Sequence, residues 1–456
     1  MKNCKTRNSY GEIIPQGANY TETVDYLYSL QRHGIKLGLE NPGKLMDILG
    51  RPEMSFRSIH IAGTNGKGST SAIIASILRE HGFRTGLFTS PHLVSFTERI
   101  RINNVPISES DVIRLASYVR NVIAGTDLKP TFFEVVTAMA FYYFAHEKVD
   151  WAVVEVGMGG RLDATNVLFP QASIITNISL EHTEFLGKNI PEIAFEKAGI
   201  IKPSVPLVTA VGQPDALKVI EDTVKKLDAE MHLYGKDFKG EITSMDKAML
   251  SFNYSGYKDY NNLSLPLAGR HQLYNASLAI RTCEILMQKG LSINEDTIYN
   301  GITNLNFEGR LEQVSEMPPI ILDGAHNPHA AETLAAAIKE LFPDKKIILI
   351  AGVMKDKDTK GILKPLTDIS ETIILTMPKG ERAAHPQRLK EAIVAPQSYR
   401  PRPESIKITN TVEEAIGLAR ILWKQGDIIL ITGSFYTTGE AKEVLGQHGV
   451  LSQLRE

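Results

Sequence analysis

The segment Gly63–Ser69, which reads GTNGKGS, has the residue types and spacing best suited to binding a nucleotide. It lies between an apolar run, Ser58–Ala62, and a stretch of small and apolar residues at helical spacing, Ser69–His81. Glycines let backbone N–H groups close around phosphate oxygens, a helix N-terminus favours negative charge, and Lys67 can reach the terminal phosphates. The sequence therefore predicts a site for ATP. Its predicted phosphate contacts are Gly63, Thr64, Asn65, Gly66, Lys67, Gly68 and Ser69.

This segment departs from the standard phosphate loop in two ways. Ile61 stands where that motif has its first glycine, and Gly68 follows Lys67 where a serine or threonine normally binds magnesium. Ser69 comes one position late. A glycine-rich turn without a ligand is the alternative, but the strand, the lysine and the helix together favour phosphate binding. We therefore expect the metal to find its ligands elsewhere in the chain.

Three polar residues at predicted strand ends are candidates for that metal site: Ser90, Glu155 and His182. A carboxylate inside an apolar run such as VVEV is costly unless it is paired or binds a metal. Ligands bind outside the carboxyl ends of parallel strands, so these side chains are expected to face the triphosphate as magnesium ligands. The alternatives are an ion pair of Glu155 with Arg161 or a nearby lysine, and a histidine with only a structural role.

Two further residues remain ambiguous on sequence alone. Asp323, in LDGAHNP, follows a predicted strand and precedes a helix, and it is suited either to holding a ribose or catalytic group or to capping a turn. Lys197, in FEKAG, lies in a helical stretch, where a solvated lysine is the simplest interpretation.

Short apolar runs alternate with helical stretches throughout most of the chain, which predicts α/β layers around parallel sheets. Met249–Leu267 alternates apolar and polar residues and predicts antiparallel strands instead. We expect an N-terminal domain at 1–304, a hinge at 305–309 and a C-terminal domain at 310–456. The other expected strands are Thr85–Thr89, Trp151–Val156, Ala172–Ile178, Pro319–Asp323, Lys346–Gly352, Thr372–Thr376 and Asp427–Thr432, and the further helices are Leu273–Lys289 and Ala330–Leu341.

The composition of the 456 residues is that of a globular protein, with 43% hydrophobic and 22% charged residues. A net charge of -2 without runs of like charge gives no indication of a nucleic-acid partner. The two cysteines, Cys4 and Cys283, are too few for a disulfide framework or a thiolate zinc site. No secretory signal or membrane-spanning stretch is apparent, so a cytoplasmic monomer is the expectation.

Several segments together resemble the folylpolyglutamate synthase and dihydrofolate synthase family, which is related to the muramyl peptide ligases of cell-wall synthesis. The stretch Gly159–Asn166 and the helix around Lys197 are the segments most specific to the folate branch. The resemblance runs through Gly34–Glu40, Gly63–Ser69, Thr89–Leu93, Glu98–Asn103, Phe132–Glu134, Glu155–Asn166, His182–Gly187, Glu196–Ile200, His271–Gln272, Asn275, Gly309–Arg310, Asp323–His329 and Thr432–Tyr436. Glu181 stands where this family commonly has aspartate, and Asn104 where it often has glycine.

The resemblance implies a P-loop ATPase-like N-terminal domain with a parallel-rich sheet, and a smaller Rossmann-like α/β C-terminal domain. It adds Asn275, Arg310 and Asp323 to the ATP contacts. It also implies that Lys197 is N-carboxylated, so that its carbamate binds a second Mg²⁺ beside the one held by Ser90, Glu155 and His182. The implied catalytic residues are Lys67, His182, Lys197 and His326. The implied pterin pocket consists of Gly38, Leu39, Thr131, Phe132, Phe133, Glu134, Leu162, Asp163 and Ala164.

The activity that the resemblance implies is amide formation through an acyl phosphate. ATP would phosphorylate the carboxylate of dihydropteroate or a reduced folate, and the amine of glutamate would displace the phosphate. One alternative is a muramyl-type amino-acid ligase, which the segments Phe132–Glu134 and Gly159–Asn166 disfavour. The other is a non-catalytic nucleotide-binding switch, which would not need Glu155 and His182.

Overall fold

The computed structural model describes residues 6–7, 13–14, 19–34, 36–394 and 406–446. The outer limits of the predicted domains, 1 and 456, and Ile35 of the resembling segment Gly34–Glu40 lie outside these residues. A short antiparallel pair, Thr6–Arg7 with Ile13–Ile14, comes first. No helix in the described ranges is long and apolar enough to cross a membrane.

An eight-stranded sheet forms the centre of the N-terminal domain. Its first six strands are parallel and its last two are antiparallel. In order across the sheet the strands are Met231–Leu233, Leu207–Thr209, Ala172–Ile175, Arg57–Ala62, Trp151–Glu155, Thr85–Phe88, Ile100–Ile102 and Val105–Pro106. Parallel strands covered by helices on both faces are continuously apolar, which explains the buried runs of the central strands.

Helices cover both faces of this sheet, and the helix that follows the phosphate loop, Lys67–Glu80, is buried along most of its length. Its small residues allow close packing against the sheet and against His271–Gln288. The other α-helices of this domain are Tyr20–Ser29, Glu40–Ile48, Glu109–Ala124, Phe132–His146, Thr183–Leu186, Ile190–Ala198, Pro214–Lys226 and Glu295–Thr303, and the 3₁₀ helices are Leu30–His33, Pro52–Met54, Phe96–Arg99 and Ala164–Val167.

A separate antiparallel sheet of three strands, Lys239–Met245, Leu250–Ser255 and Asp259–Leu265, packs on the helix His271–Gln288. Two of these strands confirm the antiparallel structure predicted for Met249–Leu267. The first strand was not predicted, because its residues are mostly exposed or half-buried and lack a clear apolar alternation.

The C-terminal domain is built around a six-stranded sheet, parallel except at one edge. Across the sheet the strands are Glu312–Glu316, Pro319–Leu322, Ile428–Thr432, Ile347–Ala351, Thr372–Leu375 and Ile406–Ile408. Apolar clusters cover both of its faces. The helices are Pro328–Leu341, Thr359–Thr367, Pro386–Val394, Val412–Leu422 and Phe435–Val444.

The predicted α/β fold with two unequal domains is confirmed, while the limits 1–304, 305–309 and 310–456 stay predictions. The strand predicted at Ala172–Ile178 ends at Ile175. It ends there because the next two residues turn toward the phosphate loop: Thr176 Oγ1 donates to the carbonyl of Asn65 at 2.6 Å, and the carbonyl of Asn177 accepts from the Thr64 N–H at 2.9 Å.

Candidate active site

The phosphate loop has a backbone that only glycine can provide at two positions. Gly63 and Gly66 have φ angles of 149° and 85°. A Cβ on Gly63 would collide with Thr176 Oγ1, and a Cβ on Gly66 would collide with Asn275 Oδ1. The glycines therefore allow both the left-handed turns and the close approach of neighbouring elements.

Lys67, the first residue of its helix, folds back over the loop in this structure. Its Nζ donates to the carbonyl oxygens of Gly63 and Thr64 at 3.0 and 3.1 Å. The loop is anchored from outside by Asn177, whose Oδ1 accepts from the Asn65 N–H at 2.9 Å. The lysine ammonium is thus held at the mouth of a preformed loop, where an anion can replace the carbonyl oxygens as its partner.

A cavity of about 810 Å³ lies between the two domains, and the phosphate loop forms part of its wall. Strand ends of the N-terminal sheet and residues of the C-terminal domain complete the lining. All predicted ATP, metal and catalytic residues contribute to it: Gly63, Thr64, Asn65, Gly66, Lys67, Gly68, Ser69, Ser90, Glu155, His182, Lys197, Asn275, Arg310, Asp323 and His326. The fold thus brings these residues together, whereas their individual roles stay predictions.

Glu155 is buried at the end of its strand, where its Oε2 accepts from the backbone N–H of Ser90 at 3.1 Å. Burial raises the pKa of Glu155, although the charge of Lys67 opposes this. Of the alternative partners, Arg161 instead pairs with Glu196 at 2.8 Å, so a pair with Arg161 is wrong, whereas the charge of Lys67 does act on Glu155. Among the described residues Glu155 has no direct ion pair, and a bound cation would stabilise its charge at close range.

Gly68 explains the departure from the standard phosphate loop. A Cβ at this position would lie 3.4 Å from Glu155 Oε2 and 3.1 Å from the ring of Phe307. A larger residue such as serine or threonine would crowd both groups. The position that usually supplies a magnesium ligand therefore gives space to a carboxylate from a neighbouring strand.

His182 stands at the start of the short helix Thr183–Leu186 with φ 49° and ψ 43°, in the left-handed region. Burial lowers its pKa to about 4, with the charge of Lys357 contributing. The imidazole is therefore neutral near pH 7 and has a lone pair for a metal. No group of three or more His, Cys, Asp or Glu side chains in the described part of the chain is arranged as a metal site by itself.

Lys197 lies on the helix Ile190–Ala198 and is 2% exposed, so the interpretation as a solvated lysine is wrong. Burial lowers its pKa to about 7, and the positive charge of Lys67 acts in the same direction. Among the residues that the structure describes, its ammonium has no hydrogen-bonding partner. A substantial fraction is therefore an uncharged, nucleophilic amine at neutral pH.

The C-terminal domain contributes Arg310 and Asp323 to the cavity wall. The guanidinium of Arg310 lies over the rings of Phe307 and Phe435, 5.4 and 4.9 Å from their centres. Asp323 accepts from the backbone N–H groups of Leu311 and Ala325 at 3.0 and 2.9 Å. Asp323 thus has the capping role proposed as an alternative, although it also lines the cavity.

Models of two known protein domains match this chain. Residues 61–283 match the Mur ligase middle domain, and residues 309–435 match the glutamate ligase domain of Mur ligases. The dihydrofolate synthase/folylpolyglutamate synthase of Bacillus subtilis is 36% identical over 93% of this chain and 99% of its own. The Escherichia coli protein of the same name is 33% identical over 94% and 97%.

Two solved structures extend the likeness to the fold. Folylpolyglutamate synthase from Thermotoga maritima is 38% identical, with a TM-score of 0.81, over 93% of this chain and 96% of its own. The Mycobacterium tuberculosis enzyme, complexed with ADP and AMPPCP, is 32% identical, with a TM-score of 0.87, over 94% and 100%. The chain belongs to the folylpolyglutamate synthase and dihydrofolate synthase family. It is an ATP-dependent ligase, as predicted.

Glu181 contacts several polar side chains of this site. The sequence marked it only as a departure from the family pattern. Its Oε1 lies 3.3 Å from His326 Nε2 and 3.8 Å from both His182 Nε2 and Lys357 Nζ. Burial opposes its charge, but the hydrogen bond and charge of His326, together with Lys67, hold its pKa well below the usual range. The sequence did contain a signal for this role, because Glu181 is an acidic residue directly before the candidate metal ligand His182.

The nine residues of the predicted pterin pocket lie outside the lining of the 810 Å³ cavity. Gly38 N–H donates to the Leu162 carbonyl at 3.3 Å, so the two segments meet. Asp163 is buried and accepts from the N–H groups of Met158 and Thr165 at 2.9 and 3.0 Å. Its carboxylate therefore holds the turn that presents Leu162 and Ala164.

The remaining members of the predicted pocket begin the helix Phe132–His146. Thr131 and Glu134 form a capping box in which each side chain accepts from the other's backbone N–H. The ring of Phe132 stacks on Tyr28 at 5.2 Å. This helix packs against the turn Ala164–Val167 and the helix Glu40–Ile48, so all nine residues belong to one neighbourhood. Their contact with a pterin stays a prediction.

Proposed function

We propose that this chain joins L-glutamate to the carboxylate of dihydropteroate, of a reduced folate or of both, through an acyl phosphate. The observation that carries the proposal is the cavity between the domains, where a phosphate loop faces a buried carboxylate, a buried lysine and a C-terminal arginine. Solved structures of relatives that contain ADP and AMPPCP support ATP as the nucleotide. A carboxylate must be activated because it is a poor acyl donor.

The first step is transfer of the terminal phosphoryl group of ATP to the substrate carboxylate. Lys67 and Arg310 both line the cavity, and their charges offset the negative charge that moves between the phosphates. The N–H groups of the loop and the N-terminus of the helix Lys67–Glu80 also stabilise the negative charge of the phosphates. Catalysis of this step is therefore electrostatic.

Magnesium fits the donors on the N-terminal side. Glu155 is buried with a raised pKa, which a nearby cation would restore to the ionised state. Ser90 and the neutral His182 line the same cavity. We propose these three as ligands, together with phosphate oxygens of ATP. Bound there, magnesium neutralises phosphate charge and steadies the reacting oxygens.

We propose that Lys197 carries a carbamate. Its uncharged amine adds to the carbon of dissolved CO₂, a C–N bond forms, and the proton lost from nitrogen goes to water. The pKa of about 7 and the absence of a hydrogen-bonding partner among the described residues support this step. The product is an anion with two oxygens, the type of ligand that a second magnesium ion prefers.

In the second step, the neutral amine of glutamate attacks the acyl carbon, a C–N bond forms, the C–O bond to phosphate breaks, and the proton lost from nitrogen goes to the departing phosphate. His326 is held by the Gly324 carbonyl on Nδ1, 2.9 Å away, and by Glu181 on Nε2. We propose that His326 helps to hold the acyl phosphate or the incoming amino acid. The group Gly38, Leu39, Thr131–Glu134 and Leu162–Ala164 would accept the pterin.

The test is ADP release with and without glutamate, measured in parallel with dihydropteroate and with tetrahydrofolate. Glutamate-dependent ADP release with at least one of them is the expected result. Turnover only with a nucleotide-linked muramyl substrate would favour the rival ligase. ATP binding without turnover on any acceptor would favour the non-catalytic switch.

A further inference from the structure

A pair of side-chain amides joins the phosphate loop directly to the C-terminal domain. Asn327 Nδ2 donates to Asn65 Oδ1 at 2.8 Å, and Asn65 Nδ2 donates to Asn327 Oδ1 at 3.3 Å. Asn65 Nδ2 also lies 3.2 Å from His329 Nδ1. One oxygen acceptor and both N–H donors of the Asn65 amide thus have partners in the other domain.

Each end of this amide pair is fixed within its own domain. On the loop side, the Asn65 N–H donates to Asn177 Oδ1 at 2.9 Å and its carbonyl accepts from Thr176 Oγ1 at 2.6 Å. On the other side, Asn327 is 2% exposed and caps the helix Pro328–Leu341, with Oδ1 accepting from the Ala330 N–H at 2.9 Å. The pair therefore connects two rigid elements rather than two flexible loops.

The position of the pair in the chain gives it a catalytic consequence. Asn65 precedes Lys67 by two residues, and Asn327 directly follows His326. Asn327 Nδ2 also lies 3.4 Å from Glu181 Oε1, the oxygen that contacts His326. The amide pair thus connects the loop that carries Lys67 to the segment that carries His326.

We propose that Asn65 is a positioning residue that acts through Asn327 to hold His326 and its helix over the phosphate loop. In a standard phosphate loop, a residue at this position is expected to contact phosphate. Here the side chain faces the other domain, and the Asn65 backbone N–H is already bound to Asn177 Oδ1. This role rests on the proposed ligase activity, but its effect on the distance between the two domains can be measured without turnover.

The kinetic test compares Asn65→Ala, Asn327→Ser and the double variant. Serine can still cap a helix but cannot reproduce the amide pair. Asn294→Ser, at the cap of the remote helix Glu295–Thr303, is the matched control for a change of capping residue. The first two variants should lower kcat about tenfold, the expected scale for losing one or two interdomain hydrogen bonds. The control should keep the normal kcat.

Two features separate positioning from direct phosphate contact. The affinity for a non-hydrolysable ATP analogue, measured by calorimetry, should stay within about twofold in Asn65→Ala, because the loop N–H groups are retained. The double variant should be at most slightly slower than the slower single variant, since both remove the same amide pair and differ only in the contacts with His329 and Glu181. An equal loss of analogue affinity and kcat, or a double variant about a hundredfold slower, would overturn the proposal.

The structural test does not depend on turnover. Met54 and Ile421 are 78% and 81% exposed, one in each domain, and cysteines at these positions can carry spin labels in a Cys4→Ser background. The distance distribution between the labels should be broader in Asn65→Ala than in the parent protein, and unchanged in Asn294→Ser. An unchanged distribution in Asn65→Ala would overturn the proposal even if no folate substrate is turned over.

Discussion

Replacing Lys197 with methionine should stabilise the protein in a pH-dependent way. Methionine has a similar length and no charge, so it suits the apolar surroundings of the helix Ile190–Ala198. In the absence of CO₂ and metal, the lysine of the folded protein has a pKa of about 7, lowered first by burial and then by Lys67. An unfolded lysine titrates near 10.5.

The size of the stabilisation follows from the difference between the folded and unfolded pKa values of Lys197. The unfolded chain binds more protons between about pH 7 and pH 10.5, so the free energy of unfolding rises with pH across that window. Below about pH 7 the full penalty is present, about 5 kcal/mol at 1.36 kcal/mol for each pH unit. Between about pH 7 and about pH 9 the parent protein should gain about 2 kcal/mol relative to Lys197→Met.

Urea unfolding of both proteins at these two pH values measures the effect, and Lys226→Met, at an exposed lysine, is the control. Adding bicarbonate should stabilise the parent protein further, because a carbamate forms only in the folded state, and should leave Lys197→Met unchanged. Equal pH dependence in the parent and Lys197→Met would refute the claim that this lysine is held uncharged by burial.

Three further substitutions test the site and its support. Lys67→Ala should abolish ATP-dependent phosphate release while circular dichroism shows an intact fold. Normal release would exclude a role of Lys67 in phosphoryl transfer. Arg310→Ala should raise the KM for ATP about tenfold, as expected for losing one charge-assisted contact, and an unchanged KM would remove the C-terminal contact. Glu284→Ala should cost about 3–5 kcal/mol in urea unfolding, because it leaves the buried charge of Arg281 without a carboxylate and removes the partner of the Tyr254 hydroxyl; a loss below about 1 kcal/mol would contradict this.

The phosphate loop could be predicted from the sequence because its determinants are local. The apolar run Ser58–Ala62, the glycines and the small residues after Lys67 specify strand, turn and helix within a short segment. The metal candidates Ser90 and Glu155 followed from the rule that ligands gather at the ends of parallel strands. Both side chains line the cavity between the domains.

Contacts between distant segments could not be predicted in this way. The pairing of Asn65 with Asn327 joins positions 262 residues apart, and no local pattern specifies it. Similarly, Arg161 lies close to Glu155 in the sequence and was a reasonable partner for it. The helix Ile190–Ala198 instead places Glu196 beside Arg161. The burial of Lys197 depends on the same tertiary packing.

The central claim is that amide formation passes through an acyl phosphate, and isotope transfer tests it most directly. The substrate carboxylate is labelled with ¹⁸O, and the inorganic phosphate formed with ATP and glutamate is analysed by mass spectrometry. Transfer of one ¹⁸O atom to each phosphate is the predicted result, because the carboxylate oxygen that attacks ATP leaves with the phosphate. Unlabelled phosphate accompanied by normal amide formation would contradict the account.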